Sequence, residues 1–191
     1  MTAPRRLHRY TYADYVGIET YSDIKHEYLD GEIYAMAGGS EEHAALSGEM
    51  IRLLGNAVGD RPCRVLTADL RLYVEAVGLA TFPDASVICG PLRQHEASPD
   101  ATALNPMILV EVTSHSSEDY DTGAKLEYYK TIPTLREYVI VSHRERRVTV
   151  HSRGTGDAWT DQTVTKGGRA TVASLDAELN VDEIYRNSSI T

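Results

Sequence analysis

Two acidic residues stand in stretches that otherwise have the composition of buried β-strands. Asp84 follows Phe82 and Pro83 at the start of one apolar stretch, and Glu111 lies inside a second, Met107–Thr113. Acidic side chains are rarely buried without a partner. Two ionised carboxylates in a partly apolar place raise each other's pKa unless a cation compensates. Because oxygen ligands with few nitrogens favour Mg²⁺ or Mn²⁺ over Zn²⁺, these residue types point to a magnesium or manganese site.

The order of the predicted strands places the two acids close together. If consecutive strands pair as an antiparallel meander, the start of the strand at Phe82 lies beside the end of the strand at Val112. Asp84 and Glu111 are then neighbours, although the sequence does not fix the register that decides whether they share a face. Lys125 starts from the same end, in the helix that follows. Its ammonium could stabilise charge on a phosphoryl group, while a metal lowers the pKa of a bound water.

Each of these residues also has a plainer interpretation. Asp84 could be a turn acid after proline, and Glu111 could be a buried glutamate paired with one cation. Lys125 could form a surface ion pair with Asp121, four residues earlier on the same helix. These alternatives stay open at the level of the sequence.

Four further residues are weaker candidates for the lining of the same cleft. His43 lies three residues before Leu46 on the apolar stripe of a helix and so faces inward, where a core histidine bonded to the backbone is equally compatible. Glu27 borders a hairpin, and Asp69 could mark a β-bulge. Tyr129 follows Lys125 by one helical turn and could simply pack beside the site.

Hydrophobic periodicity and turn residues predict a mixed α/β layout. The predicted helices are about Thr11–Glu19, Ser40–Ala57 with Ser40 as N-cap, Tyr120–Lys130, and a last turn at Val181–Tyr185. The predicted strands are a hairpin within His26–Met36, then Cys63–Ala76 interrupted near Asp69, Phe82–Cys89, a central Met107–Thr113, Glu137–Ser142, Arg147–Ser152, and a pair formed by Trp159–Thr165 and Ala170–Val172. Residues Arg93–Asn105 are predicted to form a flexible surface loop.

The whole chain has the composition of an ordinary globular protein. Its 191 residues favour one domain over 1–191, with a core at about 40–142, and 42% of them are hydrophobic. The net charge of -9 argues against a protein that coats nucleic acid non-specifically. Since no long apolar run or signal peptide is visible, we expect no membrane association and a cytoplasmic location. Cys63 and Cys89 suggest neither a disulfide scaffold nor a zinc site, so we expect two buried small hydrophobes.

The ordered set of motifs resembles the PD-(D/E)XK nuclease superfamily, and within it the restriction endonucleases of the Uma2 family. The motifs that carry the resemblance are His26–Glu32, His43 at a helix start, Phe82–Asp84, Leu109–Ser114, Tyr120–Lys125 and Glu137–Val141. The resemblance implies a restriction-endonuclease-like mixed sheet with a core of helix, three strands, helix and strand. The N-terminal hairpin and the C-terminal strands are additions to that core.

The resemblance also implies a function. It predicts a Mg²⁺- or Mn²⁺-dependent endodeoxyribonuclease, a hydrolase of DNA, with Asp84, Glu111 and the Val112 carbonyl as metal ligands. The superfamily usually places lysine two residues after the second acid, where this chain has Thr113, so Lys125 would take over that role. That departure and the acidic composition favour an alternative, a catalytically inactive binding or dimerisation module. Strand edges within Arg147–Val172 could support a homodimer in either case.

Overall fold

The computed structural model describes residues 9–98 and 102–191. Helices α1 to α5 span Tyr12–Thr20, Glu41–Val58, Glu118–Thr122, Ala124–Lys130 and Val181–Ile184. Strands β1 to β13 span His26–Leu29, Glu32–Ala35, Cys63–Thr67, Arg71–Val74, Leu79–Thr81, Ala85–Cys89, Thr102–Ala103, Ile108–Val112, Glu137–Val141, Arg147–Arg153, Trp159–Thr165, Arg169–Val172 and Ala177–Asn180. The predicted mixed α/β fold, with its N-terminal hairpin and additional C-terminal strands, is confirmed.

A six-stranded sheet organises the described part of the chain, with the order β11-β10-β9-β8-β6-β3. Only β8 and β9 pair in parallel within it, and the antiparallel pairing of β6 with β8 is the one predicted for the two acidic strands. All five residues of β8 are buried. Its central position, predicted from its unbroken apolar run, is therefore confirmed.

Helix α2 covers one face of this sheet. Ser40 accepts a hydrogen bond from the His43 N–H at 3.2 Å, which confirms the predicted N-cap. The apolar stripe of the helix, including Leu46 and Met50, packs on Val110 and other buried residues of the sheet. This packing fixes the first turn of α2, and with it His43, at the end of the sheet where β6 begins.

A second, five-stranded sheet, with the order β2-β1-β5-β4-β7, covers the other face together with α4. The predicted single strand Cys63–Ala76 is wrong, because it consists of β3 in the first sheet and β4 in the second. The chain turns between them, where the Leu70 N–H donates to the Thr67 carbonyl at 3.1 Å. Apolar periodicity continues through such a turn, so it does not reveal a change of sheet.

The segment Phe82–Asp84 is the crossing from the second sheet to the first. The predicted strand Phe82–Cys89 therefore starts late, at Ala85, and Leu79–Thr81 forms the separate strand β5. Pro83 has no N–H to donate to a ladder, which explains why the strand cannot run through it. The crossing places Asp84 directly at the start of β6.

Three smaller predictions also need correction. The loop Arg93–Asn105 contains β7, which pairs in parallel with β4. The helix Tyr120–Lys130 is two helices, α3 and α4, separated at Gly123. Strands β11 and β12 do not pair with each other, since β11 extends the β9–β10 hairpin and β12 pairs with β13, a strand that we did not predict. In each case the local sequence fits more than one assignment, and contacts between distant parts of the chain determine which one forms.

Cys63 and Cys89 form a disulfide, so the prediction of two separate small hydrophobes is wrong. They lie opposite each other in the register of β3 and β6. The sequence does not give that register, which is why the pairing could not be predicted. Within the described residues, no helix is both long enough and apolar enough to span a bilayer.

Candidate active site

Glu111 is the centre of a buried ionic cluster at the end of β8. Only 5% of the residue is exposed. Its Oε1 lies 2.9 Å from the Lys125 Nζ and accepts a hydrogen bond from the Tyr129 hydroxyl at 2.8 Å. Lys125 and Tyr129 are one turn apart on α4, so one helix supplies both partners of the carboxylate.

Lys125 is equally buried and has a second acid beside it. Its Nζ donates to Asp121 Oδ1 at 3.1 Å, and Asp121 is 1% exposed. The interpretation of this pair as surface decoration is therefore wrong. The Lys125 ammonium also lies 5.4 Å from the centre of the Tyr120 ring, a favourable cation–π distance.

A third acid approaches from the N-terminal hairpin. Glu27 on β1 is buried and accepts a hydrogen bond from the Tyr120 hydroxyl. Its charge also contributes to the raised pKa of Lys125. The hairpin, which lies outside the predicted core, thus adds a carboxylate to the cluster.

Asp84 lies at the adjoining end of β6 and is held by the backbone of β8. Its Oδ2 accepts a hydrogen bond from the Val112 N–H at 2.7 Å and lies 3.2 Å from His43 Nε2. The contact with Asp84 raises the pKa of His43, although burial opposes this. Asp84 in turn is near enough to raise the pKa of Glu111. The structure therefore brings the two predicted acids together.

The electrostatics of the cluster follow from burial and from the excess of carboxylates. Burial raises the pKa of Glu111 to about 8, against the opposing effect of Lys125. Burial alone would lower the pKa of Lys125, but Glu111 and Asp121 outweigh it and the net shift is upward. Lys125 thus stays protonated at neutral pH, while Glu111 titrates near neutrality. One more cation would stabilise the ionised form of Glu111.

The donor atoms fit a small hard cation better than a transition metal. Within the described residues, the hydrogen bonds of each carboxylate go to a single oxygen, Oδ2 of Asp84 and Oε1 of Glu111. Mg²⁺ prefers oxygen ligands, and three are present here: Asp84 Oδ1, Glu111 Oε2 and the Val112 carbonyl oxygen. No group of three or more His, Cys, Asp or Glu residues in the described part of the chain could hold a metal ion. Mg²⁺ needs no such group, because it keeps several of its own waters.

The remaining predicted residues divide between the cluster and the surface. Glu27, His43 and Tyr129 join the cluster through the contacts above. Asp69 does not, since its side chain is 90% exposed and pairs with Lys25 at 3.2 Å in the turn after β3.

Two residues of the cluster were missed as site candidates, Asp121 and Tyr120. The only signal for Asp121 is its spacing of four residues from Lys125, and that spacing does not distinguish a buried pair from an exposed one. At the position where the superfamily usually has lysine, Thr113 accepts a hydrogen bond from the His143 N–H at 3.1 Å. Its hydroxyl also lies 2.8 Å from His143 Nδ1.

Comparison with known proteins first gives a family and two relatives. A family model named Uma2, described as "Putative restriction endonuclease", matches residues 12–182. The chain is 32% identical over 173 residues to "Uncharacterized protein slr1290" of Synechocystis sp. (strain ATCC 27184 / PCC 6803 / Kazusa), a match that covers 91% of this chain and 90% of the relative. A second protein of that organism, "Uncharacterized protein sll1609", is 33% identical over 147 residues, or 77% of this chain and 82% of the relative.

A solved structure shares the fold. The crystal structure of "a putative nuclease belonging to DUF820" from Anabaena variabilis ATCC 29413 superposes with a TM-score of 0.69, at 18% identity, over 86% of this chain and 92% of that one. At this identity the likeness concerns the fold. Together with the family match, it confirms the predicted restriction-endonuclease-like fold and the resemblance to the PD-(D/E)XK superfamily. Because the family model spans nearly the whole described fold, the chain belongs to the Uma2 family.

Proposed function

We propose that the protein is a metal-dependent endonuclease that hydrolyses phosphodiester bonds in DNA. The observation that carries the proposal is the buried Glu111–Lys125 ion pair next to Asp84, at the adjoining ends of two central strands. The description of the family and that of the Anabaena protein name the same kind of activity. A DNA substrate is compatible with the expected cytoplasmic location, whereas the Cys63–Cys89 disulfide is of a kind that is rare in that compartment.

Asp84, Glu111 and the Val112 carbonyl would hold the Mg²⁺ or Mn²⁺ ion, in agreement with their oxygen-only donor set. When bound, such an ion lowers the pKa of a water and polarises a phosphoryl oxygen. Backbone bonding to Val112 keeps Asp84 in place, and the Tyr129 hydroxyl keeps Glu111 in place. The side chains are thus oriented before any ligand arrives, which reduces reorganisation during the reaction.

Lys125 would stabilise the negative charge that builds on the phosphoryl group. Its burial strengthens that interaction, because the protein interior screens charges less than water does. Asp121 and Glu27 keep the lysine protonated, since their negative charge raises its pKa. A permanently charged Lys125 is suited to charge stabilisation and to orienting a water, and it is not suited to removing a proton from that water.

Cleavage of plasmid DNA tests the proposal. Purified protein is incubated with supercoiled plasmid and Mg²⁺, and the nicked and linear products are quantified. We expect Asp84→Asn and Glu111→Gln to lower the rate at least about 100-fold, since each removes a charge needed in the transition state. Asp69→Asn is the matched control and should cleave like the wild type, because its carboxylate lies outside the cluster. Equal cleavage by all four proteins would identify a contaminant and reject the proposal.

A binding module without catalysis is the second candidate. It is favoured by Thr113, which stands where the superfamily usually has lysine, and by the net charge of -9. Calorimetry separates the two candidates: the nuclease takes up Mg²⁺ or Mn²⁺ with measurable heat, whereas the module gives no heat and binds DNA equally well in chelator. In either case β11, one of the two outer strands of the six-stranded sheet, is the edge that we propose for a homodimer.

A further inference from the structure

A groove of about 250 Å³ lies on the same face of the sheet as Glu111, and the proposed chemistry does not use it. Its floor is formed by Thr113, Ile140, Ser142, Thr149 and His151, residues of β8 to β10 or directly adjacent to them. One wall is helix α3. The groove is partly open to solvent, although Thr113 and Ser142 in its floor are buried.

Strand register connects the groove with the ionic cluster. Glu111 lies beside Ile140 in the β8–β9 pair, and Ile140 lies beside Thr149 in the β9–β10 pair. Side chains that are opposite each other in neighbouring strands point to the same face. With strands about 4.8 Å apart, Thr149 lies roughly 10 Å from Glu111 across the sheet.

Helix α3 separates the two regions and contributes to both. Tyr120 and Asp121 contact the ionic cluster, through Glu27 and Lys125 respectively. Thr122 lines the groove, as does Glu118. A ligand that crosses the end of α3 would therefore contact the cluster with one part and the groove with the next.

The groups in the groove suit a ligand that both donates and accepts hydrogen bonds. Three of its residues, Thr113, Ser142 and Thr149, carry hydroxyls. The Thr113 hydroxyl is already bonded to His143, as described above. The Ser142 hydroxyl accepts from the Arg144 N–H at 3.1 Å, and the Thr149 hydroxyl lies 3.1 Å from that of Thr163. Because a hydroxyl has one donor and two acceptor positions, those of Ser142 and Thr149 can each form a further hydrogen bond. Burial lowers the pKa of His151, so its imidazole is neutral at pH 7 and both donates and accepts. These groups match the edge of a nucleobase better than they match a bare anion or an apolar ligand.

The charges in the groove allow a single phosphate at its mouth. Arg147 supplies a guanidinium there, with a side chain that is 39% exposed and that pairs with Glu145 at 3.2 Å. The carboxylate of Glu118 is already paired with Arg144 at 2.6 Å, which also holds the pKa of Glu118 below its ordinary value. A phosphate would thus meet two ion pairs with no net charge, and it would share the Arg147 guanidinium with Glu145. The volume is below the 300 Å³ or so of a typical small-molecule site and suits one nucleotide.

We propose that this groove binds one nucleotide of the substrate strand, next to the phosphodiester bond held at Glu111 and Lys125. The proposal rests on the proposed function, because it assigns the groove to the same nucleic-acid strand. It adds a contact that specifies the substrate at a base, where the ionic cluster contacts only phosphate.

The affinity of groove variants for DNA tests the proposal. Fluorescence anisotropy measures the binding of a 12-nucleotide single-stranded DNA, with Ca²⁺ in place of Mg²⁺. We expect Thr149→Val and His151→Phe each to weaken binding about fivefold, the usual effect of one lost hydrogen bond. Thr171→Val removes an exposed threonine hydroxyl on β12 and is the matched control, with binding unchanged. Wild-type affinity in both groove variants would overturn the proposal.

A measurement on the wild-type protein covers the case in which a variant does not fold. Titration with a 5′-phosphorylated trinucleotide should shift the NMR signals of the His151 ring and leave those of His95, which packs against Tyr12 and Tyr73, in place. The trinucleotide should also bind more tightly than a mononucleotide. Unchanged His151 signals at saturation, or equal affinity for both ligands, would overturn the proposal.

The outcomes separate this inference from the proposed nuclease activity. If Asp84→Asn abolishes plasmid cleavage while the His151 signals stay unchanged, the groove assignment fails and the nuclease stands. If the wild type cleaves no plasmid but the His151 signals shift with the trinucleotide, the nuclease fails and the groove assignment stands.

Discussion

Glu111 shows how single residues set the properties of the cluster. Its neighbours Lys125 and Tyr129 both engage the same oxygen, and its burial raises its pKa to about 8. A carboxylate with this pKa holds a proton over much of the physiological range unless a cation replaces it. The metal-free cluster should therefore respond to pH in a characteristic way.

The stability of the metal-free protein should fall as Glu111 ionises. The folded pKa of about 8 lies above the ordinary value of 4.5, so between these pH values the folded state holds a proton that the unfolded state has released. The stabilisation is complete below the unfolded pKa and is lost as pH rises through the folded one. Relative to Glu111→Gln, wild type should lose up to ~1.4 kcal/mol per pH unit across this window. Urea unfolding in EDTA from pH 5 to pH 9 measures this difference.

One result of the same experiment would contradict this prediction. If the free energies of unfolding of wild type and Glu111→Gln run parallel over the whole pH range, the pKa of Glu111 is not raised in the folded state. Glu127→Gln, on the exposed side of α4, is the control and should run parallel to wild type, because its carboxylate pairs with Lys130 in a largely exposed position.

Among single residues, the sequence was sufficient to select the main members of the cluster. It did not show how deeply each of them is buried. Asp84, Glu111 and Lys125 could be selected because acids in apolar strands are rare and because their order resembles a known family. The burial of Asp121 could not be predicted, since its spacing from Lys125 also fits an exposed pair. Asp69 has the right chemistry but lies in a turn, and the sequence does not show that this turn leads to a different sheet.

The break between α3 and α4 is the element-scale feature on which the position of Lys125 depends. Gly123 lies at this break, and a Cβ there would come within 2.7 Å of the Asp119 carbonyl oxygen. The two helices therefore need glycine at their junction. Lys125 stands in the first turn of the second helix, and Asp121 stands in the first helix.

Substituting Gly123 should disturb both stability and the ion pair. Gly123→Ala has to displace backbone, so we expect a loss of about 2 kcal/mol in the free energy of unfolding. Cleavage should fall with it, because Lys125 moves relative to Glu111. Gly55→Ala in α2 is the matched control: it meets no atom within 4 Å, and it should stabilise the protein by about 0.5–1 kcal/mol. Thermal unfolding compares the two, and a neutral Gly123→Ala would show that the junction tolerates a side chain.

The disulfide joins the outer strand β3 to β6, the strand that follows Asp84. Since it closes a loop of 26 residues, reducing it should cost about 3 kcal/mol of stability. Unfolding by urea with and without dithiothreitol measures this loss, and Cys63→Ala should behave like the reduced protein under both conditions. An identical unfolding midpoint with and without reductant would mean that the bond does not stabilise the fold.

At the element scale, strong local signals were sufficient for the helices and for the central strands. Ser40 with its following acids gave the start of α2, and the apolar run Met107–Thr113 gave the buried strand β8. The predictions failed for Cys63–Ala76 and for Phe82–Cys89, where the sequence did not show which sheet each strand joins. Both segments pass between two sheets, and side-chain alternation carries no information about which sheet a strand joins.

At the scale of the whole molecule, the candidate site lies where the two sheets approach each other. Asp84 lies at the end of the crossing Phe82–Asp84, and Glu111 lies on the central strand β8. Glu27 lies on the hairpin of the second sheet. The core with its covering helices was predicted from the order of elements. The contribution of the second sheet was not, because it depends on long-range pairing between β1 and β5.

The most direct test of the account is a crystal of the wild-type protein grown with Mn²⁺ and measured at an X-ray energy where manganese scatters anomalously. We expect one anomalous peak within coordination distance of Asp84, Glu111 and the Val112 carbonyl, and we expect its loss in Glu111→Gln crystals grown in the same way. A map at saturating Mn²⁺ with no peak there, and with Lys125 still paired to Glu111, would contradict a metal-dependent nuclease site.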